Sequence, residues 1–162
     1  TRIVAMVSSI VNRFVYPRPD PPHYSVTSHR EHLIWIPASS TSPAIPCLHF
    51  QSSPPSRTRP LVLWSHANGC DIGTMAEPLA DLSRRLNINI LAYEYPGYGL
   101  CTDETPSERS VDQHTRQAYQ FVREQLKYSP KRIVFYGHSI GTGTACMMVS
   151  ELCVNDRASL SS

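Results

Sequence analysis

Gly137-His138-Ser139-Ile140-Gly141 sets a serine between two glycines. A serine hydroxyl is a poor nucleophile until a base takes its proton, so the flanks must say whether this one is placed to react. Upstream, Arg132-Ile133-Val134-Phe135-Tyr136 reads as a buried strand; downstream, Gly141 to Val149 is a run of small and apolar residues that reads as a helix. Strand, sharp turn and helix form the context in which Gly-x-Ser-x-Gly makes a nucleophile elbow. Such a turn presents Ser139 Oγ outward. It needs Gly137 and Gly141 because neighbouring backbones pass too close for a Cβ. It also leaves the Ile140 backbone N–H at a helix start, without a helical partner, where it can stabilise an oxyanion. Ser139 is therefore the candidate nucleophile and Ile140 the first oxyanion donor.

A second donor is expected from the loop His66-Ala67-Asn68-Gly69-Cys70-Asp71, which follows the apolar run Leu61 to Ser65. Asn68, through its backbone N–H, is the choice, with Ala67 or Gly69 as substitutes. His66 belongs to a loop that shapes this site, which argues against it as the base. His138 adjoins Ser139, but neighbours at a sharp turn point differently. Asp71 either orders the loop or is a solvated or helix-capping residue. His114 reads as a solvated or packing histidine on a helix, and Asp103 and Glu104 as a helix cap or an entrance lining. His23, His29, His32 and His49 have no motif around them. No His/Cys/Asp set has zinc-ligand spacing, and GHSIGTG lacks both the P-loop lysine and the dinucleotide glycine spacing. No cofactor and no metal are expected.

These residues need a scaffold. After residue 60 the pattern runs strand (Leu61–Ser65), helix (Met75–Leu86), strand (Ile88–Tyr93), helix (Ser107–Leu126), strand (Lys131–Tyr136), helix. Crossovers of this length imply a parallel sheet covered on both faces. Ligands on such sheets bind beyond the carboxyl ends of the strands, where the loops around Asn68, Tyr95 and Ser139 all fall. Before residue 60, His32–Ile36 and Ile45–Phe50 read as an antiparallel edge hairpin, joined by a Ser/Pro/Thr stretch and followed by a polar loop. Ser107 and Ser110 are candidate caps for the long helix, Asn87 a terminator for the one before it.

The 162 residues make one domain, and at 41% hydrophobic they can bury a core. A net charge of +2 with no basic tract gives no reason to expect a nucleic-acid partner. The cysteines are odd in number, five, without metal spacing, so a reducing compartment with free, buried, structural thiols is the expectation. That implies a cytoplasmic location. Residues 1–31 read as a lead-in: an amphipathic stretch from Thr1 to Tyr16, then a rigid spacer from Pro17 to Pro22. The first could pack on the domain, lie on a membrane surface as a peripheral contact, or be the remnant of a longer anchor. Residues 32–162 read as the domain proper.

Ser65-His66-Ala67-Asn68-Gly69-Cys70-Asp71-Ile72-Gly73, Tyr93-Glu94-Tyr95-Pro96-Gly97-Tyr98-Gly99 and Tyr136-Gly137-His138-Ser139-Ile140-Gly141-Thr142 together resemble the α/β-hydrolase superfamily. Within it they are similar to the ABHD17-like (FAM108) serine hydrolases, as is the Pro-rich stretch from Tyr16 to Ser25. The resemblance implies an α/β-hydrolase fold, a mostly parallel sheet with helices on both faces. It also implies hydrolysis of esters or thioesters through Ser–His–Asp, with acyl groups on lipidated proteins among the substrates and depalmitoylation at membranes as the activity of animal relatives. The relatives read His-Gly where this chain has His66-Ala67, and they carry an acylated cysteine cluster that is not seen here.

In this fold the acid and the histidine follow the nucleophile, yet the residues after Gly141 hold Asp156 and no histidine. Asp156 falls too early, at the end of the elbow helix. The expectation is thus the N-terminal part of a complete hydrolase, its sheet stopping after the elbow strand and exposing an edge open to self-association. The alternatives are a non-catalytic binding module, or a peptidase or small-molecule esterase. Sequence downstream of this stretch in the same gene is expected to encode an Asp after one further strand and a His near the C-terminus; the absence of both would remove the catalytic reading.

Overall fold

The computed structural model describes residues 14–39 and 42–160. Five strands form one sheet in the order β1-β2-β4-β3-β5: β1 (Leu33–Ile36), β2 (Ile45–Phe50), β3 (Leu61–Ser65), β4 (Asn89–Tyr93) and β5 (Ile133–Gly137). β1 pairs antiparallel with β2, and β2 with β4; β4, β3 and β5 are mutually parallel. The crossovers are α1 (Ala76–Leu86) and α2 (Glu108–Glu124), and α3 (Gly141–Leu160) leaves β5. The elements up to β5 lie within about two residues of their sequence readings, α3 runs on past Val149 to Leu160, and a 3₁₀ turn at Pro130–Arg132 precedes β5.

The continuous apolar runs of β3 and β4 arise because both sheet faces are covered. Leu61, Leu63, Leu91 and Tyr93 face a core built with Val111, Ala118 and Val122 of α2. The alternate residues Trp64, Ile90 and Ala92 face a second core with Ala76 and Leu79 of α1. With apolar partners on both sides, the period-2 signal of a half-buried strand disappears. A buried hydroxyl cluster ties β3 and β4 to the long helices: Tyr93 OH is 2.6 Å from Ser65 Oγ and 2.7 Å from Thr115 Oγ1, and Thr144 Oγ1 lies 3.3 Å from Ser65 Oγ.

Three expectations change. β5 is half-exposed rather than buried: Ile133 and Phe135 pack on the α2-side core, but Val134 is 50% and Tyr136 42% exposed. The reason is that α1 packs chiefly on β2 and β4, and among the described residues no strand pairs with the far edge of β5. Tyr136 instead stacks on Trp64 at 3.8 Å. The stretch from Pro17 to Pro22 is a largely exposed strap tied down at its ends, not a free spacer. Arg18 donates to the Gly97 carbonyl at 2.8 Å, and the flanking Tyr16 and Tyr24 are buried. Finally, all five cysteines are free but only Cys47 and Cys101 are buried; Cys146 and Cys153 face outward from α3. The amphipathic stretch read over Thr1 to Tyr16 lies outside the described residues except at its end. Among the described residues, no helix is long and apolar enough to cross a membrane.

Helix ends follow the sequence closely. Asn87 adopts φ +50° and stops α1, a conformation asparagine tolerates better than most residues. Ser107 and Ser110 form a reciprocal capping box at the start of α2. Ser107→Ala leaves an orphan N–H there and is expected to cost about 1 kcal/mol, read as a lower midpoint in urea with an unchanged slope.

Candidate active site

The turn after β5 is sterically tight. Ser139 has φ +53°, in the left-handed region that costs a side-chain-bearing residue roughly 1–3 kcal/mol. The surroundings over-determine it. A Cβ on Gly137 would sit 2.3 Å from the Gly141 carbonyl oxygen, and one on Gly141 would sit 2.3 Å from that of Ser65. The β3–β5 ladder runs straight into the turn, with His138 N–H donating to Ser65 O at 3.1 Å. Successive amides of Gly141, Thr142 and Gly143 then bond back to His138, Ser139 and Ile140. The Ile140 N–H and Ser139 Oγ are left without a hydrogen-bond partner among the described residues. The Ser139 side chain is exposed, while Ile140 packs inward on the α2-side core.

The loop after β3 lies against this turn, since a Gly141 Cβ would also meet His66 O at 2.8 Å. His66 is buried and engaged elsewhere. Its Nδ1 is 2.9 Å from Ala67 O and its Nε2 is 3.0 Å from Glu94 Oε1, an ion-pair contact out of line for a linear hydrogen bond. Its ring stacks on Tyr95 at 3.9 Å, and the Tyr95 hydroxyl donates to His66 O at 2.9 Å. Both ends of the Asn68 side chain are committed too. Oδ1 accepts from Tyr98 OH at 2.5 Å, and Nδ2 donates to Val15 O at 2.6 Å. The side chain is thereby excluded from the chemistry, and the backbone amides of Ala67 and Asn68 remain as the loop's donors.

Glu94 is the residue that sequence reasoning missed. It is fully buried. Besides His66, its carboxylate accepts from Tyr24 OH at 2.9 Å, Ile72 N–H at 3.2 Å and Tyr95 N–H at 3.3 Å, and its main-chain oxygen is 3.0 Å from His114 Nδ1. The available signal was its setting: an acid inside the run Leu91-Ala92-Tyr93-Glu94-Tyr95 cannot be solvated if its neighbours are core. His114 is accordingly a buried, bonded residue, so the solvated reading of it falls. Glu104 sits 2.9 Å from His114 Nε2, so it neither caps α2 nor lies free at an entrance.

Asp71 orders the loop, and its solvated alternative is excluded because it is buried. It accepts from His23 N–H at 2.7 Å and from Thr74 N–H and hydroxyl, each at 2.9 Å. Burial pushes the Asp71 carboxyl up, but these hydrogen bonds outweigh it and hold the group below its ordinary value. Of the other histidines, His23 touches Asp71, His32 packs on Phe50, and burial lowers His49 to about 4. His138 is exposed and His29 occupies a turn at φ +52°. None of the described histidines bonds to Ser139.

A mixed sheet with an antiparallel edge, helices on both faces, and a strained serine turn at the carboxyl end of a parallel strand define the α/β-hydrolase fold. Solved structures agree. An α/β-hydrolase from Vibrio vulnificus superposes with a TM-score of 0.64 at 17% identity, over 83% of this chain and 49% of that one. The bacterial heroin esterase superposes with a TM-score of 0.59 at 20% identity, over 78% and 39%. Within that class the chain is similar to human alpha/beta hydrolase domain-containing protein 17C, 38% identical over 96 residues that make up 59% of this chain and 28% of that protein. Protein L404 of Acanthamoeba polyphaga mimivirus is 28% identical over 139 residues, 85% of this chain and 53% of L404. The chain thus spans about half or less of the curated relatives it matches. No protein-family model matches it.

The Asp71 carboxylate links fold to pH. A depressed folded pKa contributes stability that is complete above the unfolded value, ~3.9, and is lost as pH falls through the folded value. Asp71→Asn is expected to cost about 2 kcal/mol at pH 7, in the range of hydrogen bonds to a charged group. Urea titrations at several pH values should show the gap to the unaltered protein closing below about pH 3.9.

Proposed function

We propose that this chain carries the nucleophile half of a serine hydrolase that cleaves carboxylic esters or thioesters. The observation that carries the reading is Ser139 held at φ +53° between two glycines that admit no Cβ. Its hydroxyl and the following N–H are unengaged among the described residues. Ser139 Oγ attacks the acyl carbon and gives its proton to a base. The carbonyl oxygen becomes an oxyanion held by the Ile140 N–H and an amide of the Ala67–Asn68 loop. The tetrahedral adduct collapses to an acyl-serine, and the leaving alkoxide or thiolate takes the proton. Water then repeats the sequence in reverse, releasing the acid and restoring Ser139. His66 and His114 are both held by other partners, so the base and its acid come from outside the described residues.

A thioester asks less of the acid step, because a thiolate of pKa ~8.5 leaves far more readily than an alkoxide. The resemblance to depalmitoylase-type enzymes extends the reading to acyl groups on cysteines of lipidated proteins. The experiment is labelling of the complete gene product with a fluorophosphonate probe, alongside hydrolysis of acyl-thioester and acyl-ester substrates. Labelling should vanish in Ser139→Ala, and turnover should fall by at least about a thousandfold. The 162-residue chain alone should label weakly or not at all. A folded complete product that does not label overturns the proposal.

A further inference from the structure

We propose that Cys101, Glu104 and His114 form a binding site for one divalent transition-metal ion of the zinc type, separate from Ser139. The thiol sulfur, a carboxylate oxygen and a ring nitrogen of these residues all lie within 4.8 Å of one another. Cys101 is 6% and His114 1% exposed. The expectation of no metal rested on linear spacing, and this set is not linear: two members sit on the loop after β4 and the third on α2.

Two observations favour an ion over a simple Glu104–His114 pair. His114 Nδ1 is 3.0 Å from the Glu94 carbonyl oxygen, which can only accept, so Nδ1 carries a proton and Nε2 is the ring nitrogen left to face a ligand. A carbonyl acceptor behind the ring is the outer-shell support that metal-bound histidines have. Nε2 and Glu104 Oε1 lie 2.9 Å apart, yet both are buried and neither has a hydrogen-bond partner among the described residues. A cation seated beside both would give these two atoms a common partner.

Thiolate, imidazole and a single carboxylate select zinc or cobalt over magnesium or calcium. Zinc bonds run ~2.0–2.3 Å, so donors this close need only a small inward swing. Glu104, whose side chain is 21% exposed, has the freedom to make it. A fourth position stays open to water. The ion would clamp the loop after β4 onto α2, against the main chain of Glu94.

The test is cobalt titration of the full chain after chelator treatment. The expected result is a near-ultraviolet thiolate-to-cobalt band that saturates at one ion per chain and is displaced by zinc, with zinc raising the melting temperature. Cys101→Ser should abolish the band. Glu104→Gln, at a partly exposed position, should keep its circular dichroism and bind at least tenfold more weakly. Cys146→Ser and Cys153→Ser should change nothing. Absence of the band, its survival in Cys101→Ser, or undiminished binding by folded Glu104→Gln overturns the proposal.

Discussion

A carboxylate removed from water must be met by donors or opposite charge, and Glu94 is met from every direction. Tyr24 reaches it from the lead-in, Ile72 from the approach to α1, His66 from the loop after β3, and Tyr95 from its own loop; His114 of α2 takes its main-chain oxygen. Removing one member of a buried pair leaves the other uncompensated, at a cost of about 3–5 kcal/mol. Domains have only about 5–15 kcal/mol of net stability. The loops after β3 and β4 are thereby tied to each other and to the lead-in through one buried carboxyl group.

The second constraint is steric and sits beside the first. Ser139 is held in an unfavourable backbone region because β3 and the start of α3 press on Gly137 and Gly141 from either side. The strain is local, and the contacts that maintain it are backbone to backbone, which cannot relax by a rotamer change. Below the turn, the hydroxyls of Ser65, Tyr93, Thr115 and Thr144 bond among themselves. They fix β3 and β4 against both long helices without a charge. A donor array fixed before substrate arrives needs no reorganisation during reaction, the property on which the proposed hydrolase reading draws.

The lead-in belongs to the same logic. Tyr24 bonds Glu94, His23 bonds Asp71, and Val15 accepts from Asn68, so the lead-in touches the loops after both β3 and β4. Its prolines shape the path, but its aromatic and polar groups make it part of the domain. The opposite edge of the sheet is different in kind. β5 keeps its inward residues on the core and leaves Val134 and Tyr136 half-exposed.

Much of the fold was legible in the sequence because its signals are local. Apolar runs bounded by turns located the strands, Ser107 and Asn87 marked helix ends, and the two glycines around Ser139 announced a turn without room for side chains. The same local signals named Asn68 and Ile140 as candidates. What the sequence could not supply was partnership across distance. Glu94 with Tyr24 and Asp71 with His23 are separated by many residues, and no spacing rule relates them. Nor could it show that His66 and His114 are already engaged, since a histidine's role depends on what faces each ring nitrogen. Residue types and short-range pattern determined where the turns and elements fall. Only the tertiary structure decided which buried charges meet, because burial makes a charge seek a partner while chain order does not say which one.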